Sequence, residues 1–280
     1  MIVATCFSDY EILDTGDGMK LERWGDYILS RPDPQIIWGK QMPERWVSAD
    51  AVYMRSTSGG GEWKYHNPLP DRWTLSYKNL RFYVRPTGFK HTGLFPEQCA
   101  NWDFVSKNLD SNDQVLNLFA YTGGATMACA AAGATVVHVD AAKSMNSWAK
   151  ENAALCGLSA KPIRYITDDC LKFVLREQRR NNRYDGIIMD PPSYGRGTDG
   201  SVWKLEDNLF QLIQEAVKLL SIDPKFFIIS SYTTGLSSVV TSNMIKFFIP
   251  GGTVEAGDLV LPTANENIYL PCGTTARWKA

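Results

Sequence analysis

QVLNLFAYTGGATMACAAAGATVVHVDAAK, residues 114–143, reads as strand, glycine turn, helix, strand and carboxylate. An apolar run from Val115 to Phe119 breaks at Tyr121-Thr122-Gly123-Gly124. A small-residue segment with helical character follows, Ala125 to Ala132, and Gly133 stops it. A second apolar run, Thr135 to Val139, ends on Asp140. A parallel strand pair joined by a helix needs about this length. The turn after the first strand brings bare backbone to a helix N-terminus. The acid after the second strand can accept two hydrogen bonds from a ribose diol. The stretch therefore points to a nucleoside-containing cofactor. A nicotinamide dinucleotide would want G-x-G-x-x-G, whose glycines admit a pyrophosphate. Here the glycines sit together in TGGAT and the third is missing. S-adenosylmethionine (SAM) carries no phosphate and needs one close backbone approach and one acid, so it fits better. A βαβ unit that binds nothing satisfies the same pattern more loosely.

Composition narrows the class. The chain has 280 residues, a formal charge of −1 and a hydrophobic content of 44%, with pI near 6.3. That suits one large domain or two small ones with a substantial core. No run of about 18 apolar residues occurs, so no membrane span is expected. The N-terminal MIVATCFSDYEILD is acidic and lacks the basic start of a secretory signal. Cys6, Cys99, Cys129, Cys156, Cys170 and Cys272 show no CxxC spacing and read as reduced thiols of a cytoplasmic protein. His66, His91 and His138 show no metal spacing, and no metal is expected. With near-neutral charge, any polyanion site must be a local basic patch.

Upstream, residues 1–88 are rich in aromatics, among them Trp24, Trp38, Trp46, Trp63 and Trp73. LERWGDYILSRP, VSADAVYMRS, GEWKYHN and WTLSYKNLRFYVRP read as strands separated by glycine and proline turns, and DPQIIWGK as a short helical turn. The expectation is a small, mainly antiparallel β domain. Its tryptophans could capture substrate, or simply fill the domain's core. Gly59-Gly60-Gly61 could cradle an anion or form a hairpin tip. Downstream, residues 89–280 form the second predicted domain. FPEQCANWDFVSKNLD leads into the strand at Val115 as a helix with Pro96 in its first turn. KSMNSWAKENAALCGL is an amphipathic helix. IRYIT, GIIMD and KFFIISS are buried strands, with a helix from about Glu206 to Leu220 between the last two, and two final strands close the chain. The expected fold is α/β: a Rossmann-like, mostly parallel sheet with an antiparallel last strand.

In such sheets the ligand lies beyond the carboxyl ends of the strands. The turn from Phe119 to Gly124, Asp140, Asp168-Asp169 and Asp190-Pro191-Pro192-Ser193-Tyr194 all fall there. Each acid by itself could be an ordinary helix N-cap. Together, in this order, they make a site. Asp168 or Asp169 is placed to accept from an adenine amino group. Two prolines keep a carbonyl out of helix and ladder, so that Asp190 and that carbonyl can accept from an amino or imino group. Tyr194 can stack on a flat ring.

NLFAYTGG, VDAAK, DDCLKF and DPPSYG, in that order, resemble the class I SAM-dependent methyltransferases. More narrowly they resemble the cytoplasmic group that includes the 23S ribosomal RNA cytosine-5 and guanine-N7 methyltransferases. The likeness extends upstream to TGLFPEQ and, less specifically, into the aromatic β region, and so covers roughly residues 20–280. The resemblance implies that Phe119, Tyr121, Thr122 and Gly123 flank the methionine part of SAM. It places the ribose at Asp140 with Ala141 beside it, the adenine at Asp168 or Asp169, and methyl transfer at Asp190, Pro191, Pro192 and Tyr194. Phe95 and Gln98 match a segment that closes over the cofactor. The chain shows no obvious N-terminal RNA-binding domain of the kind the cytosine-5 members carry. It also has Ser230 and Ser231 where they place a catalytic cysteine after the fifth strand.

That last departure bears on the chemistry. Carbon 5 of a pyrimidine is a poor nucleophile and needs a thiolate on carbon 6, whereas a base nitrogen needs only orientation. The expectation is a methyltransferase acting on a base nitrogen of RNA, with ribosomal RNA as its substrate. Methylation of a protein side chain or small molecule, or a SAM-binding module without catalysis, are the rival readings. A monomer and a homodimer both stay open.

Overall fold

The computed structural model describes residues 1–56, 60–196 and 202–280. Gly59, part of the proposed anion cradle, lies outside the described residues. By internal contacts the chain divides into two units. One holds residues 1–2, 101–259 and 273–280, and the other holds residues 3–100 and 260–272. The sequence division after residue 88 was drawn from composition. The contact division differs because part of the chain's last hairpin, residues 260–272, groups with the N-terminal segment.

The N-terminal segment is β-rich, as its alternating pattern predicts. After β1 (Ile2–Val3) come β2 (Tyr10–Gly16), β3 (Met19–Trp24), β4 (Tyr27–Pro32), β5 (Ala51–Arg55) and β6 (Gly61–Tyr65). Strands β2 to β6 form a five-stranded sheet in chain order. It is antiparallel except for β4 and β5, which pair in parallel through Leu29 and Ala51. A second ribbon joins β7 (Trp73–Tyr77) to β8 (Leu80–Val84). LERWGDYILSRP is two strands, because Gly25 takes a positive φ of 65° and turns the chain. DPQIIWGK is turn and coil rather than helical, and the short 3-10 helix falls instead at Pro43–Ser48.

The tryptophans of this unit are structural. Trp24 is fully buried. Trp38, Trp46, Trp63 and Trp73 are half-buried, and each indole N–H is spent internally: on Thr15 Oγ1 (3.1 Å), Asp14 Oδ2 (2.7 Å), Thr87 O (2.9 Å) and Trp24 O (2.8 Å). The same unit holds a buried ion pair. Arg31 Nε and Nη2 each donate to Glu22 at 2.6 Å, and Tyr10 Oη donates to the same carboxylate at 2.7 Å. Burial alone would raise the pKa of Glu22, but Arg31 and Lys20 beside it prevail and hold it at about 2. Cys6 and Cys99 correct the expectation of six reduced thiols, since they are paired in a disulfide with Cα atoms 6.0 Å apart. Their separation of 93 residues hides the pairing from any spacing argument.

A 3-10 turn (Pro96–Gln98) closes the N-terminal part of this unit and opens into α1 (Cys99–Lys107), whose residues from Asn101 on belong to the second unit. That second unit is α/β. Then follow β9 (Gln114–Leu118), α2 (Gly124–Ala131), β10 (Thr135–Asp140), α3 (Lys143–Leu155), β11 (Ile163–Thr167), α4 (Cys170–Arg179) and β12 (Gly186–Met189). A short hairpin, β13 (Tyr194–Arg196) and β14 (Val202–Lys204), precedes α5 (Leu205–Val217). The chain ends with β15 (Phe226–Ser231), α6 (Ser238–Phe248), β16 (Thr253–Pro262) and β17 (Tyr269–Lys279). The eight-stranded sheet runs β1-β16-β17-β15-β12-β9-β10-β11. Its central strands are parallel, and β17 returns antiparallel along β15. Central strands read as continuous apolar runs because helices cover both faces: all six residues of β15 and all four of β12 are buried. The hairpin β13–β14 and helix α6 are elements the sequence reading did not contain.

Candidate active site

Register alone gathers the site. Leu118 pairs with Val139 and with Met189, and Asp140 pairs with Thr167. The next residues along these strands, Phe119, Asp140, Asp168 and Asp190, therefore stand at one edge of the sheet. Strand order puts β12, β9, β10 and β11 side by side there.

The loop after β9 is held in an uncommon conformation. Phe119 (φ 55°), Tyr121 (φ 50°) and Gly123 (φ 88°) are all left-handed. Phe119 and Tyr121 hold positions where bulky L-residues rarely sit, so the surroundings must over-determine them. They do so through the backbone. Phe119 N–H donates to Cys170 Sγ (3.3 Å), Ala120 N–H to Val139 O (3.0 Å) and Tyr121 N–H to Asp140 Oδ2 (2.9 Å). Asn152, buried on α3, donates to Thr122 O at 2.9 Å. Gly123 then opens α2, accepting from Met127 N–H at 2.8 Å. A Cβ on Gly124 would run into the indole of Trp102, so the second glycine is a packing requirement.

Asp140 is the pivot. Its Oδ1 accepts from Ala142 N–H at 2.8 Å while Oδ2 accepts from Tyr121 N–H. Burial pushes its carboxyl above the ordinary 3.8, opposed by those two backbone donors. Ala141 follows, exposed. Asn146 ties the strand ends together, donating to Asp140 O (3.3 Å), Ile166 O (3.1 Å) and Thr167 Oγ1 (2.7 Å). Of the two acids after β11, Asp169 caps α4, accepting from Lys172 N–H at 2.8 Å. Asp168 accepts from Asp169 N–H at 2.9 Å and is ion-paired with Arg176. The helix-cap reading thus holds for Asp169.

At the end of β12, Asp190 is half-buried, Pro191 buried, and Pro192, Ser193 and Tyr194 exposed. The turn is pinned from two sides. Ser193 Oγ and Thr233 Oγ1 are 2.6 Å apart, and Trp203 Nε1 donates to Pro192 O at 2.6 Å. The Pro192 carbonyl is therefore spent internally, which narrows the free-carbonyl expectation to Pro191. Tyr194 belongs to β13 and is 53% exposed. Ser230 is buried and hydrogen-bonded, accepting from Asn101 Nδ2 at 3.1 Å and donating to Thr275 Oγ1 at 3.4 Å.

The structure therefore brings together Phe119, Tyr121, Thr122, Gly123, Asp140, Ala141, Asp168, Asp169 and Asp190 to Tyr194. Phe95 and Gln98 belong to the other unit, where Phe95 O accepts from Gln98 N–H at 3.0 Å and the Phe95 ring lies 5.4 Å from that of His91. Asn146, Asn152, Thr233 and Trp203 are site-supporting residues the sequence reading missed. Only their positions, on α3, in the β13–β14 ribbon and in the loop after β15, disclose them.

The donor set suits a nucleoside with a free diol. Asp140 is fixed by two backbone donors and keeps lone pairs on both oxygens, and bare backbone stands beside it. A family model described as S-adenosylmethionine-dependent methyltransferase matches residues 44–254. The chain belongs to this family: it is a SAM-dependent methyltransferase, and SAM is its cofactor. A crystal structure of the SAM-dependent methyltransferase from Agrobacterium tumefaciens is 37% identical, with a TM-score of 0.94, covering 99% of this chain and 92% of that one. SMU.776 complexed with SAH shares the fold at 17% identity, with a TM-score of 0.78, covering 99% of this chain and 76% of that one. Among curated proteins, the chain is similar to ribosomal RNA large subunit methyltransferase K/L of Pseudoalteromonas atlantica, 36% identical over 142 residues, 50% of this chain and 20% of that protein. The corresponding protein of Shewanella sp. strain ANA-3 is 31% identical over 189 residues, 65% of this chain and 25% of that protein. The chain thus spans a fifth to a quarter of the length of these curated relatives. No helix among the described residues is long and apolar enough to cross a membrane, and no group of three or more potential metal ligands occurs among them.

Proposed function

We propose that this methyltransferase acts on a base nitrogen of RNA, and that the RNA is ribosomal. The names of the curated relatives support the substrate class. The choice of nitrogen over carbon rests on one observation: the state of the thiols. Cys6 and Cys99 are paired with each other. Burial pushes Cys129 up to about 12 and raises Cys170 and Cys272 as well, so these stay protonated near neutrality. Cys156 lies at the C-terminal end of α3, remote from Asp140. Ser230, which stands where a thiol nucleophile would be needed, is committed to Asn101 and Thr275. A base nitrogen carries its own lone pair and needs only positioning and charge relief.

In this reading the bound cofactor supplies an activated methyl group. The residues of this chain do the positioning. Asp140 holds the ribose diol with Ala141 alongside. Asp169, whose Oδ1 caps α4, offers its other oxygen to the adenine amino group, and Asp168 is the alternative. The left-handed loop through Phe119, Tyr121, Thr122 and Gly123 takes the methionine portion. Asp190 and the Pro191 carbonyl accept hydrogen bonds from the acceptor base, which orients its nitrogen, while Tyr194 stacks on its face. The N-terminal β region, residues 1–88, takes the role of substrate recognition.

Mass spectrometry of RNA nucleosides from a strain lacking this protein tests the reading. One N-methylated nucleoside of ribosomal RNA should disappear and return on complementation. With that RNA as substrate, Asp190→Ala and Tyr194→Ala should cut turnover while SAH affinity stays within a few fold. A denaturant-stable adduct with 5-fluorocytosine RNA, mapped to any cysteine, would replace nitrogen with carbon 5.

A further inference from the structure

We propose that Trp203 is a positioning residue that couples the acceptor turn to the cofactor loop. Trp203 lies on β14, directly across the hairpin from Gly195, which offers no side chain to crowd it. Its two ends engage different halves of the site. Its Nε1–H donates to Pro192 O at 2.6 Å, holding the second proline of the Asp190-Pro191-Pro192 turn. Its ring lies 5.5 Å, at 50°, from the ring of Phe119, the first left-handed residue of the loop after β9.

The geometry makes this more than packing. Phe119 sits at φ 55°, which only its surroundings can sustain. Its amide is fixed by Cys170 Sγ from the α4 side, and its ring meets Trp203 on the hairpin side. The acceptor turn is likewise held at two points, by Thr233 on Ser193 and by Trp203 on Pro192. Trp203 therefore bears on both. A shift of the hairpin moves the Pro192 carbonyl and the Phe119 ring together. The distance between donor and acceptor is what a methyltransferase must hold, because reactivity depends steeply on near-attack geometry. The hairpin that carries Trp203 begins at Tyr194 itself, so occupancy of the acceptor side also bears on the indole.

Two substitutions separate the two contacts. Trp203→Phe keeps an aromatic ring for Phe119 and removes the donor to Pro192 O. Trp203→Ala removes both, and Trp203→Leu serves in its place if alanine does not fold. Calorimetry with SAH reads the cofactor half. Trp203→Phe should bind SAH within twofold of wild type, whereas Trp203→Ala should weaken it about fivefold, the scale of one aromatic contact. Kinetics with ribosomal RNA from the deletion strain read the acceptor half. Trp203→Phe should lower kcat about fivefold, the scale of one hydrogen bond, with KM for SAM unchanged. Equal SAH affinity in wild type and Trp203→Ala, or equal loss in both variants, overturns the coupling. So does a melting-temperature drop with unaltered kinetics. The inference rests on the proposed RNA acceptor for its kinetic half only. If wild type methylates no RNA, that substrate reading fails, and the SAH measurements still decide the role of Trp203.

Discussion

Replacing Asp140 by asparagine tests the cofactor half of the site with the least disturbance of shape. In the native structure both carboxylate oxygens accept a backbone N–H, from Ala142 at 2.8 Å and from Tyr121 at 2.9 Å. An asparagine keeps one acceptor and turns an NH2 toward the other donor. One backbone N–H then loses its partner, and the ribose diol loses a charged acceptor. Hydrogen bonds to charged groups are worth about 1.5–3 kcal/mol, so SAM and SAH should bind roughly 10- to 100-fold more weakly. Stability should change less, because the native carboxylate is itself penalised by burial. The sign of the pH effect follows. The folded-state pKa of Asp140 lies above 3.8, so the stability it contributes is fully present below 3.8 and is lost as pH rises through the folded value. Ligand binding runs the other way. The diol donates to the ionised form, so affinity should fall as pH drops through the folded pKa in wild type and stay flat in Asp140→Asn. Calorimetry with SAH across that range, with melting curves to monitor folding, measures both. Affinity within twofold of wild type at neutral pH would refute the assignment of the ribose to Asp140.

Other outcomes follow from packing and charge. Glu22→Gln leaves Arg31 buried without its counter-charge and should cost about 3 kcal/mol in urea unfolding. The pKa of Glu22 is depressed to about 2, so its contribution is present above 4.5 and lost as pH falls from 4.5 toward 2, a slope the variant should lack. Gly124→Ala would drive a methyl into the Trp102 indole; it should lower stability by about 1–3 kcal/mol and weaken SAH binding, and a neutral result would show that α1 yields freely. Alkylation under denaturing, non-reducing conditions should modify four of the six cysteines and leave Cys6 and Cys99 unlabelled.

The parts of this protein that were legible in its sequence are those with a strong local cause. Apolar runs such as Phe226–Ser231 must be buried on both faces, so they declare a parallel core. Strand ends marked by glycine, aspartate or proline declare the edge where a ligand binds, because ligands sit beyond the carboxyl ends of such strands. Asp140, Asp190 and the glycine turn were placed at that edge this way, and β12, β9, β10 and β11 lie side by side there.

Long-range pairing was decided only by the tertiary structure. Helix α6, SVVTSNMIKFF, is rich in β-branched and polar residues, and its packing on α5 overrides that weak local preference. The hairpin β13–β14 has three-residue strands, too short to show a period. Cys6 finds Cys99 across 93 residues, a separation at which sequence carries no pairing signal. Trp203 was one tryptophan among nine until the hairpin set its indole between Pro192 and Phe119. Residue chemistry at the end of a strand is written locally and can be read in advance. Which distant side chain holds that chemistry in place depends on how the chain closes on itself.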